Sequence, residues 1–116
     1  AFLSYSTFGN PSGRWLDEIR SAVAILDEQK IGKLTPESPV LIQHGRSDDI
    51  VPFGQGQQLA RDWCGKGATV QFSVNELPPI IPGLAINHAT PYLVGTPESI
   101  GYMIDRFNNV PAPSNC

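Results

Sequence analysis

No cluster of lysine and arginine occurs anywhere along the 116 residues, and the formal net charge is -3. Nucleic acids and anionic membrane surfaces are held through such a footprint, so its absence argues against both as partners. No apolar run approaches the ~18 residues of a membrane span, so no transmembrane segment is expected. Cysteine is confined to Cys64 and Cys116, whose spacing fits no C-x-x-C redox or zinc pattern. There is no initiator Met, and Ala1 leads directly into FLSYSTFG without the basic stretch and longer apolar run of a signal peptide. The chain therefore reads as a piece of something longer. A cofactor fingerprint is also missing. Gly54 to Leu59, GQGQQL, lacks the third glycine of a dinucleotide turn and follows a loop, so no cofactor is expected.

What is present suits one globular layer. The apolar fraction of 41% is close to ordinary, so disorder of the whole chain is not expected. After an irregular leading segment from Ala1 to Ser12, Trp15, Ile19, Ala22, Val23 and Leu26 recur on one stripe of a helix spanning Arg14 to Ile31. Gly32 and the prolines of LTPESP stop it. VLIQ, Val40 to Gln43, is a short apolar run that suits a strand covered on both faces. Gly54 to Cys64 reads as a helix ended by Gly65 and Gly67. Thr69 to Asn75 alternates as a half-covered strand near a sheet edge. A Pro-rich loop then delivers His88, and Thr96 caps a last helix with Pro97 first and Ile100, Met103, Ile104 and Phe107 buried. Helices alternating with strands predict an α/β fold with two parallel strands.

The two cysteines, if joined, close the loop from residue 64 to residue 116, for a model stabilisation of roughly 4 kcal/mol. The alternative is one buried thiol and one loose tail thiol. A cysteine placed last in VPAPSNC suits an extracellular disulfide that staples the tail.

In open α/β sheets, functional residues collect at the carboxyl ends of strands. Asp48 and Asp49 follow the first strand and His88 follows the second, so parallel pairing brings them to one rim. An Asp there can fix a histidine tautomer and support its imidazolium. Each residue also has a plainer role. Asp48 can form a turn with its own backbone, Asp49 can be a solvated neighbour or a helix N-terminal charge, and His44 can pack at the strand end. His88 can simply cap or pack within its loop. A metal site from His44, Asp48, Asp49 and His88 is the rival reading; its spacing matches no common zinc pattern, so no metal is expected.

The stretch H-G-x-x-D-x-x-V-P (His44, Gly45, Asp48, Val51, Pro52) resembles the acid-bearing turn of α/β-hydrolases. With DWCGKGATVQF, N-H-A-T, the G-T-P-E start and a terminal Cys, the chain resembles the C-terminal part of secreted lipases. That microbial family includes lipase A of Candida antarctica. The resemblance covers about Pro39 to Cys116 and implies the last two parallel strands of an α/β-hydrolase fold. Residues 1–38 then hold a leading segment and a candidate cap-region helix, and residues 39–116 the hydrolase segment. It further implies a secreted lipase or carboxylesterase with a Ser-His-Asp triad. Asp48 would be its acid, His88 its general base, and Cys64–Cys116 the family disulfide. Lipid or other ester substrates, and the missing N-terminal part of the same protein, are the implied partners. The loop LPPIIPGLAI would line the entrance or acyl pocket.

The nucleophile is missing: no G-x-S-x-G occurs, and the nearest string, GNPSG at Gly9 to Gly13, has its serine one place late and no strand before it. The chain alone is therefore expected to be inactive. Two alternatives stand beside the lipase reading. One is a non-catalytic, disulfide-locked secreted module, and the other is an acyltransferase of the same fold.

Overall fold

A computed structural model of the chain describes residues 13–81, 83 and 85–116. The leading segment, with all of GNPSG except Gly13, lies outside the described residues, as do Pro82 and Leu84. The chain divides into two compact units, Ala1–Lys33 and Leu34–Cys116. In the first, helix α1 (Gly13–Glu28) carries the expected apolar periodicity. It ends three residues before Ile31, and Lys33 closes the turn with an ion pair to Asp27.

The second unit runs β1 (Val40–Gly45), α2 (Phe53–Gly65), β2 (Val70–Asn75), α3 (Ile86–Phe107). It is a mixed α/β arrangement whose strands pair in parallel, from Val40 opposite Val70 to Gly45 opposite Asn75. Parallel neighbours require a crossover, and α2 supplies it. Alternate strand residues face opposite sides of the sheet. On the α2 side, Val70 is fully buried with Ala60 and Ala68, and Ile42, Trp63, Cys64 and Phe72 pack around them. α2 stops where its glycines predict. Gly67, at φ 85°, donates to Cys64 O, and Ala68 N–H donates to Trp63 O. These are the paired bonds of a Schellman end, and the accompanying apolar contact joins Ala68 to Trp63 in the core.

α3 departs most from expectation. It does not begin at Thr96; it runs for 22 residues from Ile86, with Pro91 and Pro97 inside. Thr96 is not its cap, because its hydroxyl donates back to Tyr92 O at 2.6 Å. Nor is the expected stripe buried: Ile100, Met103, Ile104 and Phe107 are all exposed. The contacts of α3 with the strands are polar ones instead. β1 offers α3 the amide of Gln43 and the bare Cα of Gly45. Gln43 Nε2 donates to Gly95 O (2.9 Å) and Glu98 Oε2 (2.8 Å), and Ser99 Oγ donates to Gln43 Oε1 (2.9 Å). Ser73 of β2 adds a bond to Glu98 at 2.8 Å. α3 therefore docks through Pro91, Gly95 and Ser99, leaving the apolar stripe turned away.

Cys64 and Cys116 are joined in a disulfide. The tail it anchors covers the outer edge of β2. Asn115 N–H and Ser114 Oγ donate to Val70 O, and the Asn115 amide exchanges two bonds of 2.8 Å with the Phe72 N–H and C=O. An otherwise unpaired strand edge is thus partnered by a side chain.

Candidate active site

Both strands end together at Gly45 and Asn75, so the loops that leave them meet at one rim. Four consecutive residues after β1 each reach the segment leading into α3 or the first turn of that helix. Arg46 grips Glu76 with two bonds, Nε–Oε2 at 2.6 Å and Nη2–Oε1 at 2.8 Å. Ser47 Oγ donates to Leu77 O at 3.2 Å. Asp48 Oδ2 accepts from His88 Nδ1 at 2.8 Å. Asp49 Oδ2 accepts from Gly83 N–H at 2.8 Å and from Asn87 Nδ2 at 3.3 Å.

Asp48 is held from both sides. Its side chain is 3% exposed, and Oδ1 accepts the Ile50 and Val51 N–H groups, each at 2.9 Å. Burial pushes its acidity the other way, but the bonds from His88, Val51 and Ile50 together keep the carboxyl below the usual Asp value. The turn-forming role and the histidine contact expected as rivals are therefore combined, one on each oxygen. His44, buried at the strand end, supports the same turn. Its Nε2–H donates to Val51 O at 3.0 Å and lies 3.3 Å from Asp48 Oδ2, while its ring meets Phe53 edge-on.

His88 lies in the first turn of α3, which corrects the expectation of a loop position. The helix starts abruptly after Ala85, which adopts a left-handed conformation (φ 56°) that costs a non-glycine residue roughly 1 kcal/mol. Gly45 lets this start sit close. A Cβ there would stand 2.9 Å from Pro91 Cγ and 3.3 Å from Asn87 O. With Nδ1–H bonded to an ionised carboxylate, the neutral ring presents Nε2 as an acceptor. The side chain is 49% exposed, beside an open cleft of about 370 Å³ that Val51 and Tyr92 help line. Such a ring can take a proton from a hydroxyl and return it, with Asp48 supporting the cation formed between the two steps.

Asp49 is exposed, as a solvated neighbour would be, and its carboxylate in addition holds the segment before His88. Asn87, beside His88 in the sequence, is 5% exposed and is a site residue that the sequence pattern does not mark. Its Oδ1 also accepts Ile80 N–H at 2.8 Å, a long-range role that no local pattern signals. Among the described residues, no group of three or more His, Cys, Asp and Glu side chains is arranged to hold a metal ion, and no helix is long and apolar enough to cross a membrane.

Residues 15–115 match the family model described as secretory lipase. Secreted triacylglycerol lipase LIP7 of Malassezia globosa is 31% identical over 77 residues, 66% of this chain and 15% of that protein. Lipase 4 of Candida albicans is 35% identical over 86 residues, 72% of this chain and 17% of its own length. Secreted triacylglycerol lipase LIP2 of Malassezia furfur is 31% identical over 98 residues, 82% of this chain and 20% of its own. The chain thus spans no more than a fifth of the length of these three relatives. No solved structure matches it significantly. With a family match over nearly the whole sequence, this chain belongs to the secretory lipase family.

Proposed function

We propose that this chain is the C-terminal segment of a secreted serine ester hydrolase, a lipase acting in the extracellular space on triacylglycerol or related lipid esters. Its two strands and flanking helices form the closing portion of an α/β-hydrolase sheet. His88 is the general base and Asp48 the acid that orients it. The serine and the oxyanion donors lie outside these 116 residues. The observation that carries this reading is the 2.8 Å bond from His88 Nδ1 to a buried carboxylate, with the ring half exposed.

In the catalytic cycle, His88 Nε2 takes the proton from the serine hydroxyl as Oγ attacks the ester carbonyl. The imidazolium then gives that proton to the leaving alcohol. A water repeats the sequence to release the fatty acid. Asp48 remains ionised throughout and stabilises the imidazolium. The apolar residues Leu77, Ile80 and Ile81, exposed on the segment before His88, supply surface for an acyl chain.

The test uses the enzyme that contains this chain together with its serine. Replacing His88 by Ala should lower kcat for triolein hydrolysis by a factor on the order of 10⁴ or more. The 116-residue chain by itself should show no turnover above background. Normal turnover by the His88→Ala enzyme would refute the assignment.

A further inference from the structure

We infer that Asp49 and Asn87 form a positioning latch that holds the His88 imidazole over Asp48. The inference rests on reading His88 as the base. Two adjacent pairs of residues face each other across the rim: Asp48-Asp49 after β1, and Asn87-His88 at the start of α3. Asp48 bonds His88 and Asp49 bonds Asn87, so the same two dipeptides are tied twice. A single side-chain bond between the two dipeptides permits rotation about itself; a second one beside it restricts that freedom.

The second tie reaches further. Asp49 Oδ2 also accepts Gly83 N–H, and Asn87 Oδ1 accepts Ile80 N–H. Through these contacts the segment that precedes α3 is fastened at one point to Asn87, beside His88, and at another to Asp49. The chemistry on the two sides is complementary. Asn87 must donate to Asp49 and accept from Ile80, which an amide does and a carboxylate cannot. Asp49 only accepts, and its one oxygen serves two donors. Asn87 is buried while Asp49 and His88 are exposed, so the amide is the anchored end of the latch. Neither Asp49 nor Asn87 needs to touch substrate; both act through the place and angle of the imidazole, where misplacement by about 1 Å can cost ~10²-fold in rate.

Exchange of the two residues tests the latch. Asn87→Asp sets two carboxylates against each other and removes the donor. Asp49→Ala removes the acceptor. The double variant, Asp49→Asn with Asn87→Asp, restores the tie between the two positions with donor and acceptor reversed; it gives up the Gly83 N–H contact, while the carboxylate introduced at position 87 still accepts from Ile80 N–H. In the enzyme containing this chain, both single changes should lower kcat about 10- to 100-fold with KM moved less than about threefold. The exchange should recover activity to within about fivefold of the parent. A second readout needs no ester. In the 116-residue chain, ¹⁵N shifts of the His88 ring at about pH 8 report its neutral tautomer. The parent should be mainly Nδ1–H, as the bond to Asp48 requires. The single variants should shift at least about fivefold toward Nε2–H, and the exchange should reverse the shift.

An Asn87→Asp chain that keeps its tautomer ratio, or a cooperatively folded double variant that fails to regain it, overturns the latch. If Asn87→Asp does not fold, Asp49→Ala decides in the same way. The tautomer signal stands whether or not His88 proves to be the base, so loss of the latch and loss of the hydrolase reading are separate results.

Discussion

Asp48 gathers three kinds of support on two oxygens. Its own backbone supplies the first, through Ile50 and Val51, and fixes Oδ1. His88 and His44 converge on Oδ2, at 2.8 and 3.3 Å. The net effect is a carboxyl below its usual acidity range despite burial, and this has a consequence for folding. A carboxyl depressed in the folded state stabilises the fold above its unfolded value, about 3.9, and that stability is lost as pH falls through the lower folded value. Urea unfolding across the acid range should therefore show the parent losing stability more steeply than Asp48→Asn below about pH 4. Parallel losses in the two proteins would show that Asp48 carries no such linkage. The place of this residue at the rim was readable in the sequence, because strand-end position and the D-x-x-V-P spacing both mark it. The role of its neighbour was not. Asp49 and Asn87 meet across 38 positions of chain, and nothing local to either announces the other.

At the level of elements, α2 and the two strands follow local signals closely. An apolar run, an alternating run and a pair of glycines are each decided by short-range sterics and side-chain direction. α3 does not follow them. Thr96-Pro97 is a sound start signal, yet contacts from Gln43 and Ser73 hold the helix through it. Long-range bonds overrode a local preference, which sequence periodicity cannot reveal. α2 is seated differently, by close approach to His44. A Cβ at Gly56 would fall 2.1 Å from His44 Nδ1, whereas at Gly54 it would meet nothing within 4 Å. Gly56→Ala should thus cost about 1–3 kcal/mol through displacement of the ring. Gly54→Ala should be neutral or stabilising by up to about 1 kcal/mol from helix propensity. Thermal melts of the two variants check this; equal midpoints would mean that α2 does not press on His44.

As a molecule, the second unit is a parallel strand pair with its two faces put to different uses. The α2 face holds the apolar core around Val70, and the α3 face carries the polar node around Gln43. The disulfide and Asn115 close the outer edge of β2, at a site set apart in sequence from the rim that carries Asp48 and His88. The rim loops are fastened to one another, and His44 and Phe53 link them to the α2 face. On the proposed hydrolase reading, Asp48 rather than Asp49 is the carboxylate that serves the reaction, because Asp48 bonds His88 while Asp49 bonds Gly83 and Asn87. Turnover of Asp48→Asn and Asp49→Asn enzymes containing this chain, on the same triacylglycerol, tests that choice most directly. Asp48→Asn should lower kcat by about 10⁴, because the wrong tautomer is then held at His88. Asp49→Asn, which keeps an acceptor oxygen for Gly83 and Asn87, should lose less than about tenfold. Normal turnover by Asp48→Asn beside an inactive Asp49→Asn enzyme would contradict the assignment.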